Sequence, residues 1–360
     1  MIDVSQRIKL AQRIVDGLDA QPGELIQVRG DPGSYDFLLE VLLAIERAGA
    51  TPLPEIFTAG YLERLWSEAP LDHLEHWDRH RRGWLQGVDR VVTFVRPPTN
   101  PGSASKEAQE AWRRATDRLA AIEDDRRLPF LVAAVPGLDW AETLGVPLPE
   151  LEAVLLPALL ASPEELQVEI DRLLDAVGDS QDLLVRSGDG YELHLTHGER
   201  LWLGDDGRID PHDRRRGAIV SNLPAGSIYT TVLEGETRGD LLLPKAGAAS
   251  QVLFTFEAGR IVDVRAASGA GELKSWLFSH SGEPGRVSHL GIGLNPYLRQ
   301  PVGLDVPVDE HVYGFMFVAL GDNRYMGGEN ASSLNVDYIL PQATFLADGK
   351  TILSAGQVMV

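Results

Sequence analysis

The side chains best suited to chemistry gather between residues 286 and 337. The run Arg286-Val-Ser-His-Leu-Gly-Ile-Gly-Leu-Asn-Pro296 sets His289 ahead of a Gly-x-Gly turn, and Gly327-Gly-Glu-Asn-Ala-Ser-Ser-Leu-Asn-Val-Asp337 ends in an Asn-x-Asp pair. A neutral imidazole and a carboxylate are donors that a divalent cation accepts from a protein. Strand side chains alternate between faces, so Asn335 and Asp337 share one. Asn335 adds a carbonyl oxygen, a harder and weaker donor than imidazole toward ferrous iron.

Taken alone, these residues leave three outcomes open. His289, Asn335 and Asp337 hold a metal, with the asparagine or a water in the third place. Alternatively another histidine fills that place, His280 and His311 being near in sequence. In the third case there is no metal and His289 works as a general base. Around them, Tyr229 can donate a hydrogen bond to an oxyanion, and Tyr313 and Tyr325 are candidate pocket walls. Glu234, Glu236 and Glu329 are the nearby carboxylates. A triad of Ser288, His289 and an aspartate is disfavoured, because neighbours on a strand point to opposite faces. The glycines at 291, 293, 327 and 328 are read as serving backbone geometry or the close approach of a substrate. Other histidines look peripheral: His73, His76 and His80 sit at helical spacing among charged residues, and His194 and His197 are expected to face solvent.

The elements that must position these groups follow from periodicity. A helix over 3–20, a strand over 24–29, a helix over 37–49 and a strand over 52–56 give the order of a parallel α/β domain. A helix is expected over 61–86, a strand over 88–95, a loop over 96–102, a helix over 107–128 and a strand over 129–135. Further helices follow up to 177. The turn at Gly30-Asp-Pro-Gly33 stands between strand and helix but lacks both dinucleotide and Walker patterns. After Asp182 the pattern changes to short alternating strands, among them 217–221, 228–231, 239–243 and 315–320. The expected fold is therefore an α/β domain with a parallel sheet over 1–178, and a strand-rich α+β domain over 182–360 carrying the site. The length of 360 residues agrees with two domains.

Composition narrows the partners. A net charge of −20 argues against nucleic acid and anionic membrane surfaces, which need a cationic footprint. With no cysteine, thiolate catalysis, iron–sulfur clusters and cysteine zinc sites are excluded. The N-terminus lacks the basic and apolar regions of a signal peptide. No apolar run reaches the roughly 18 residues of a membrane span. A cytoplasmic location and a small-molecule substrate are expected.

At Ser221-Asn-Leu-Pro-Ala-Gly-Ser-Ile-Tyr-Thr230 and on to Asp337, the chain resembles the metallopeptidases of the aminopeptidase T family. That resemblance implies an N-terminal α/β domain, a C-terminal domain with a two-metal site, and a homodimer or higher homo-oligomer. At the family's ligand positions this chain has Ser227 and His289 for two glutamates, Phe317 for a histidine, and Asn335-Val-Asp337 for a His-x-Asp pair. The stretch Ser288-His-Leu-Gly-Ile-Gly-Leu-Asn-Pro296 more closely resembles the 2,5-dihydroxypyridine 5,6-dioxygenases, similar in scaffold and built around one iron. That likeness implies a mononuclear metal, Fe(II) by preference, on His289 and Asp337, with Asn335 as ligand or substrate contact. Ser227 and Phe317 then line the pocket. An oxygenase acting on a small aromatic or heterocyclic molecule is the leading expectation. A metal-free descendant that binds or does acid–base chemistry, and a peptidase-like hydrolase with rebuilt ligands, are the alternatives.

Overall fold

The computed structural model describes residues 2–58, 60–97, 104–304 and 306–360. Most of the loop expected over 96–102 therefore lies outside the described residues. The chain forms two compact units, one of Met1–Leu160 with Gly207–Leu223 and one of Ala161–Asp206 with Pro224–Val360. The boundary expected at 178–182 falls inside the second unit.

The first unit is built on a five-stranded sheet with the order Thr51–Ile56, Leu25–Gly30, Arg90–Phe94, Phe130–Ala133 and Val220–Leu223. Every pairing in it is parallel. Ile26, Val28, Val91, Val92 and Leu131 are fully buried, as strands covered on both faces require. Helix Tyr35–Arg47 starts where the Ser34 hydroxyl accepts from the Phe37 amide at 3.2 Å, satisfying one otherwise orphaned donor. It buries Phe37, Val41, Ala44 and Ile45 along one stripe. Two expectations are corrected here. The helix expected over 61–86 is three helices, Tyr61–Glu68, Leu71–Glu75 and Asp78–Gly87, so His73, His76 and His80 share no single helix face. Pro70 breaks the first, because it cannot donate into a helical ladder. The strand expected over 217–221 is Val220–Leu223, and it completes the parallel sheet of this unit.

The second unit holds two antiparallel sheets. One has eight strands, from Arg260–Arg265 at one edge through Ala249–Glu257, Arg238–Ala246, Tyr191–Thr196, Asp182–Ser187, Thr344–Ala347 and Lys350–Ser354 to Gln357–Val358. The other has five, in the order Asn335–Leu340, Met316–Gly321, Val287–Gly293, Ser227–Thr231 and Leu203–Asp205. The segment read as a Gly-x-Gly turn is thus an inner strand, Val287–Gly293, buried at every position. The neighbouring strand Met316–Gly321 is buried throughout as well. Among the described residues no helix is long and apolar enough to cross a membrane.

Candidate active site on one face of a five-stranded sheet

Register puts the candidate residues on a common face. Paired strand residues point the same way, and His289 pairs with Thr231, Gly291 with Tyr229, and Gly293 with Ser227. Gly291 also pairs with Phe317. Across the next ladder Ala319 pairs with Asp337, and Gly321 with Asn335. Ser227, Tyr229, His289, Phe317, Asn335 and Asp337 therefore all belong to one side of this sheet. Between the pairs Val287–Leu320 and Leu290–Val318 the register slips, so Ser288 and His289 together face Ala319. This is a β-bulge, a device that re-aims side chains near functional sites. The methyl group of Ala319 is all that lies between His289 and Asp337 in the row. Over it, His289 Nε2 comes to 2.8 Å from Asp337 Oδ1.

The bulge also overturns the objection to Ser288. Its hydroxyl lies 3.0 Å from His289 Nδ1, although the two residues are adjacent. The same hydroxyl donates to the Asp322 carbonyl at 2.6 Å. Toward the imidazole it can therefore only accept, which assigns the hydrogen to Nδ1. Ser288 is fully buried and its proton is committed, so it orients the ring and is no nucleophile. The Tyr325 hydroxyl stands 3.2 Å from the same nitrogen and 3.4 Å from Asn335 Nδ2. Burial first, and then the charge of Asp337, push the Tyr325 phenol well above its ordinary value, so it stays neutral and its oxygen accepts from both nitrogens.

A second layer holds the ring's strand. Thr231 Oγ1 donates to the Ser288 carbonyl at 2.6 Å, and the Asn323 amide reaches Thr231 Oγ1 at 2.9 Å and Glu234 Oε1 at 2.8 Å. Glu234 also receives the Glu329 amide at 2.7 Å and forms an ion pair with Arg200 at 3.1 Å. Burial alone would raise its pKa, but these donors outweigh burial and lower it. Glu234 is thus a carboxylate occupied in positioning. The Glu329 contact comes from its backbone.

The glycines are explained by the chain itself. A Cβ on Gly291 would sit 2.2 Å from the Phe317 ring, and one on Gly293 would sit 2.3 Å from the Val312 carbonyl oxygen. The ring of Phe317 crosses Gly291 and meets the His289 imidazole edge-on, with centroids 5.9 Å apart. The turn Asp309–His311 closes over Gly293. There Glu310 and His311 are sealed from solvent. Burial, with Asp337 and Asp205 nearby, raises Glu310 well above the carboxylate range. Burial lowers His311 to about 4 against the opposing pull of Gly226 and Asp337. With 3.5 Å between His311 Nε2 and Glu310 Oε1, the two are a neutral pair.

Beside Asn335 and Asp337 opens a cavity of about 450 Å³, walled by Pro244, Val306, Phe315 and Ile339.

Other expectations fare differently. Tyr313 is engaged away from this point: its hydroxyl donates to Glu169 at 2.6 Å, and Arg299 lies over its ring. His280 leans back on the Trp276 carbonyl at 3.0 Å and does not join His289. His197, expected to face solvent, is buried and bonded to Thr230 at 2.9 Å. Ser288, Asn323 and Ala319 were not legible as site residues. The signal for them was the bulge, and a bulge leaves no mark in residue type.

The donor set can be tested against a metal. Two ligands at right angles on one ion, each about 2.1 Å from it, stand about 3.0 Å apart, close to the observed spacing of Nε2 and Oδ1. With hydrogen on Nδ1, the Nε2 lone pair faces a carboxylate oxygen that is buried and makes no hydrogen bond. Two such atoms repel unless a positive charge, a metal ion or a proton, lies between them. Among the described residues no three His, Cys, Asp or Glu side chains converge as a metal-binding group. The set therefore fits one cation on His289 and Asp337, completed by the Asn335 amide or by solvent. It does not fit the bridged pair of a two-metal hydrolase, which needs further carboxylates.

A sequence model of the 2,5-dihydroxypyridine 5,6-dioxygenase (NicX) family matches residues 154–360, more than half of the chain. Among solved structures, AmpT from Thermus thermophilus superposes with a TM-score of 0.75 at 18% identity, covering 99% of both chains. The 2,5-dihydroxypyridine dioxygenase from Pseudomonas putida KT2440 superposes with a TM-score of 0.61 at 18% identity, covering 100% of this chain and 99% of its own. At that identity the likeness establishes the fold. No curated protein sequence gives a significant match.

Proposed function

Because the chain belongs to the 2,5-dihydroxypyridine 5,6-dioxygenase family, we propose that it is a dioxygenase-type oxidoreductase using one divalent metal, Fe(II), on a small aromatic or heterocyclic substrate. The observation that carries this reading is the pair His289 Nε2 and Asp337 Oδ1, 2.8 Å apart, with the imidazole hydrogen held on the far nitrogen. When bound, such an ion supplies redox chemistry toward dioxygen and Lewis acidity toward ring oxygens.

The remaining work falls to the chain. Ser288 and the Asp322 carbonyl fix the imidazole tautomer, the arrangement usual for a metal-bound histidine. Asn335 offers an amide oxygen to the metal or to a substrate hydroxyl. Phe317 and Ser227 wall the same face, with Tyr229 as a further donor. Tyr325 keeps a phenolic proton beside the imidazole, where it can be passed to a ring oxygen. The cavity beside Asn335 and Asp337 admits a single-ring substrate. We read the protein as cytoplasmic and as a homodimer or higher homo-oligomer, which light scattering on the purified chain checks.

Protein purified without chelators should carry one metal per chain and take up dioxygen with 2,5-dihydroxypyridine or a related hydroxylated ring. Two metals per chain with peptide hydrolysis would revive the hydrolase. No metal after reconstitution, with turnover unaffected by His289→Ala, would leave the metal-free reading.

A further inference from the structure

The loop that carries Tyr325 has both ends pinned to the sheet. Asn323 gives its side-chain amide to Thr231 and Glu234. Asn330 gives its own to the Gly321 carbonyl at 2.6 Å and the Glu283 carbonyl at 3.0 Å. Between them Tyr325 sits in the short turn Arg324–Met326, which Gly327 ends with a φ of 84°.

Just past that turn two backbone groups are taken up by charged side chains. The Gly327 carbonyl accepts from the Arg200 guanidinium, and the Glu329 amide donates to Glu234 at 2.7 Å. Arg200 and Glu234 are themselves an ion pair at 3.1 Å, with side chains only 18% and 15% exposed. Arg286 fixes Glu234 in turn by donating to its carbonyl at 2.8 Å. The pair therefore matches the turn twice, cation to carbonyl and carboxylate to amide. A planar guanidinium can serve both of its partners at once.

The distances that this clamp governs leave little margin. The Tyr325 oxygen stands 3.2 Å from His289 Nδ1 and 3.4 Å from Asn335 Nδ2. Both lie at the outer edge of hydrogen bonding, where a further shift of about 0.5 Å ends the contact. Arg200 bonds to Gly327 and Glu234, so its routes to the site are this turn and, through Glu234, Asn323.

We propose that Arg200 is a positioning residue for the Tyr325 phenol, acting through the turn at Gly327–Glu329. The part that phenol plays in turnover rests on the reading above; its placement by Arg200 does not.

NMR of the intact chain, labelled with nitrogen-15 in histidine, gives the test, because the His289 Nδ1 proton senses the Tyr325 oxygen. Tyr325→Phe removes that acceptor and should move the resonance. Arg200→Met should move it in the same direction, and the doubly substituted protein should show no more shift than Tyr325→Phe alone. Arg200→Lys keeps a cation beside Glu234 without the fork, so its shift should be smaller but present. That variant carries the comparison if Arg200→Met does not fold. In dioxygen uptake, Arg200→Met should lower kcat by no more than Tyr325→Phe does, about tenfold or less, with KM unchanged. A resonance unmoved by substitution of Arg200 would overturn the proposal. So would shifts that add in the double variant, which would route the influence of Arg200 through Asn323. Absent dioxygen uptake would count against the proposed function alone.

Discussion

Two buried histidines stand on the same side of the second unit's inner sheet and do opposite things. His289 is 7% exposed and His311 1% exposed, so burial does not separate them. Partners do. On strand Val287–Gly293, His289 has Ser288 and Tyr325 at one nitrogen and Asp337 at the other. In the turn Asp309–His311, neither ring nitrogen of His311 makes a hydrogen bond, and burial keeps the ring neutral. A ligand or base needs a fixed tautomer and a counter-charge at its working nitrogen. His289 has both, and His311 is a packing residue at the edge of the same chemistry.

Removing each ring should pull the two regions furthest apart. His289→Ala should lower turnover by about 10³-fold or more and empty the metal site in elemental analysis. His311→Ala should leave metal content unchanged. Metal loss in both variants would erase the distinction.

Next in size is a pH effect at His311. In the unfolded chain its imidazole takes up a proton below about pH 6.5, whereas the native ring waits until about 4. The unfolded state therefore binds more protons in that window. The contribution of this ring to stability should fall by about 3 kcal/mol as pH drops from 6.5 toward 4, while Glu310, protonated in the native state, contributes in the opposite sense. Denaturant titrations of the unaltered protein and of His311→Leu should diverge in that window, the variant losing less. Parallel curves would mean the ring is not neutral in the native state.

Ala319→Val tests the row from its middle. A branched side chain there should separate imidazole from carboxylate and lower turnover about 10²-fold, at an overpacking cost of about 1–3 kcal/mol. Ala319→Gly should keep the pair and most of the activity. Smallest is Tyr325→Phe, which should retain the metal and lower turnover about tenfold or less, read in dioxygen uptake.

Residue type made part of this site legible. An imidazole before a glycine pair and an aspartate two residues after an asparagine are chemically conspicuous, and period-two alternation correctly joined Asn335 to Asp337. Alternation then misled at Ser288, because the bulge spends two residues where the partner strand spends one. Gly291 and Gly293 read as a turn because glycine usually marks one. Here they admit Phe317 and the turn carrying His311, a packing demand that depends on strands far away in sequence. In the first unit the β-α-β order was plain, since Ile26, Val28 and the helix over Tyr35–Arg47 follow their own local periods. The course of the chain between units was not, because nothing local to Val220–Leu223 names the sheet it joins.

That last strand has a consequence for the order in which the protein is made. The parallel sheet of the first unit lacks its edge until Leu223 has been synthesised, by which time Ala161–Asp206 of the second unit already exists. Those early residues in turn await Pro224–Val360. Each unit is born with a piece of the other inside its span. Vectorial synthesis, which normally lets an N-terminal domain fold before the next begins, here completes the first unit only after the opening part of the second has been made. No single cut in the chain yields either one whole.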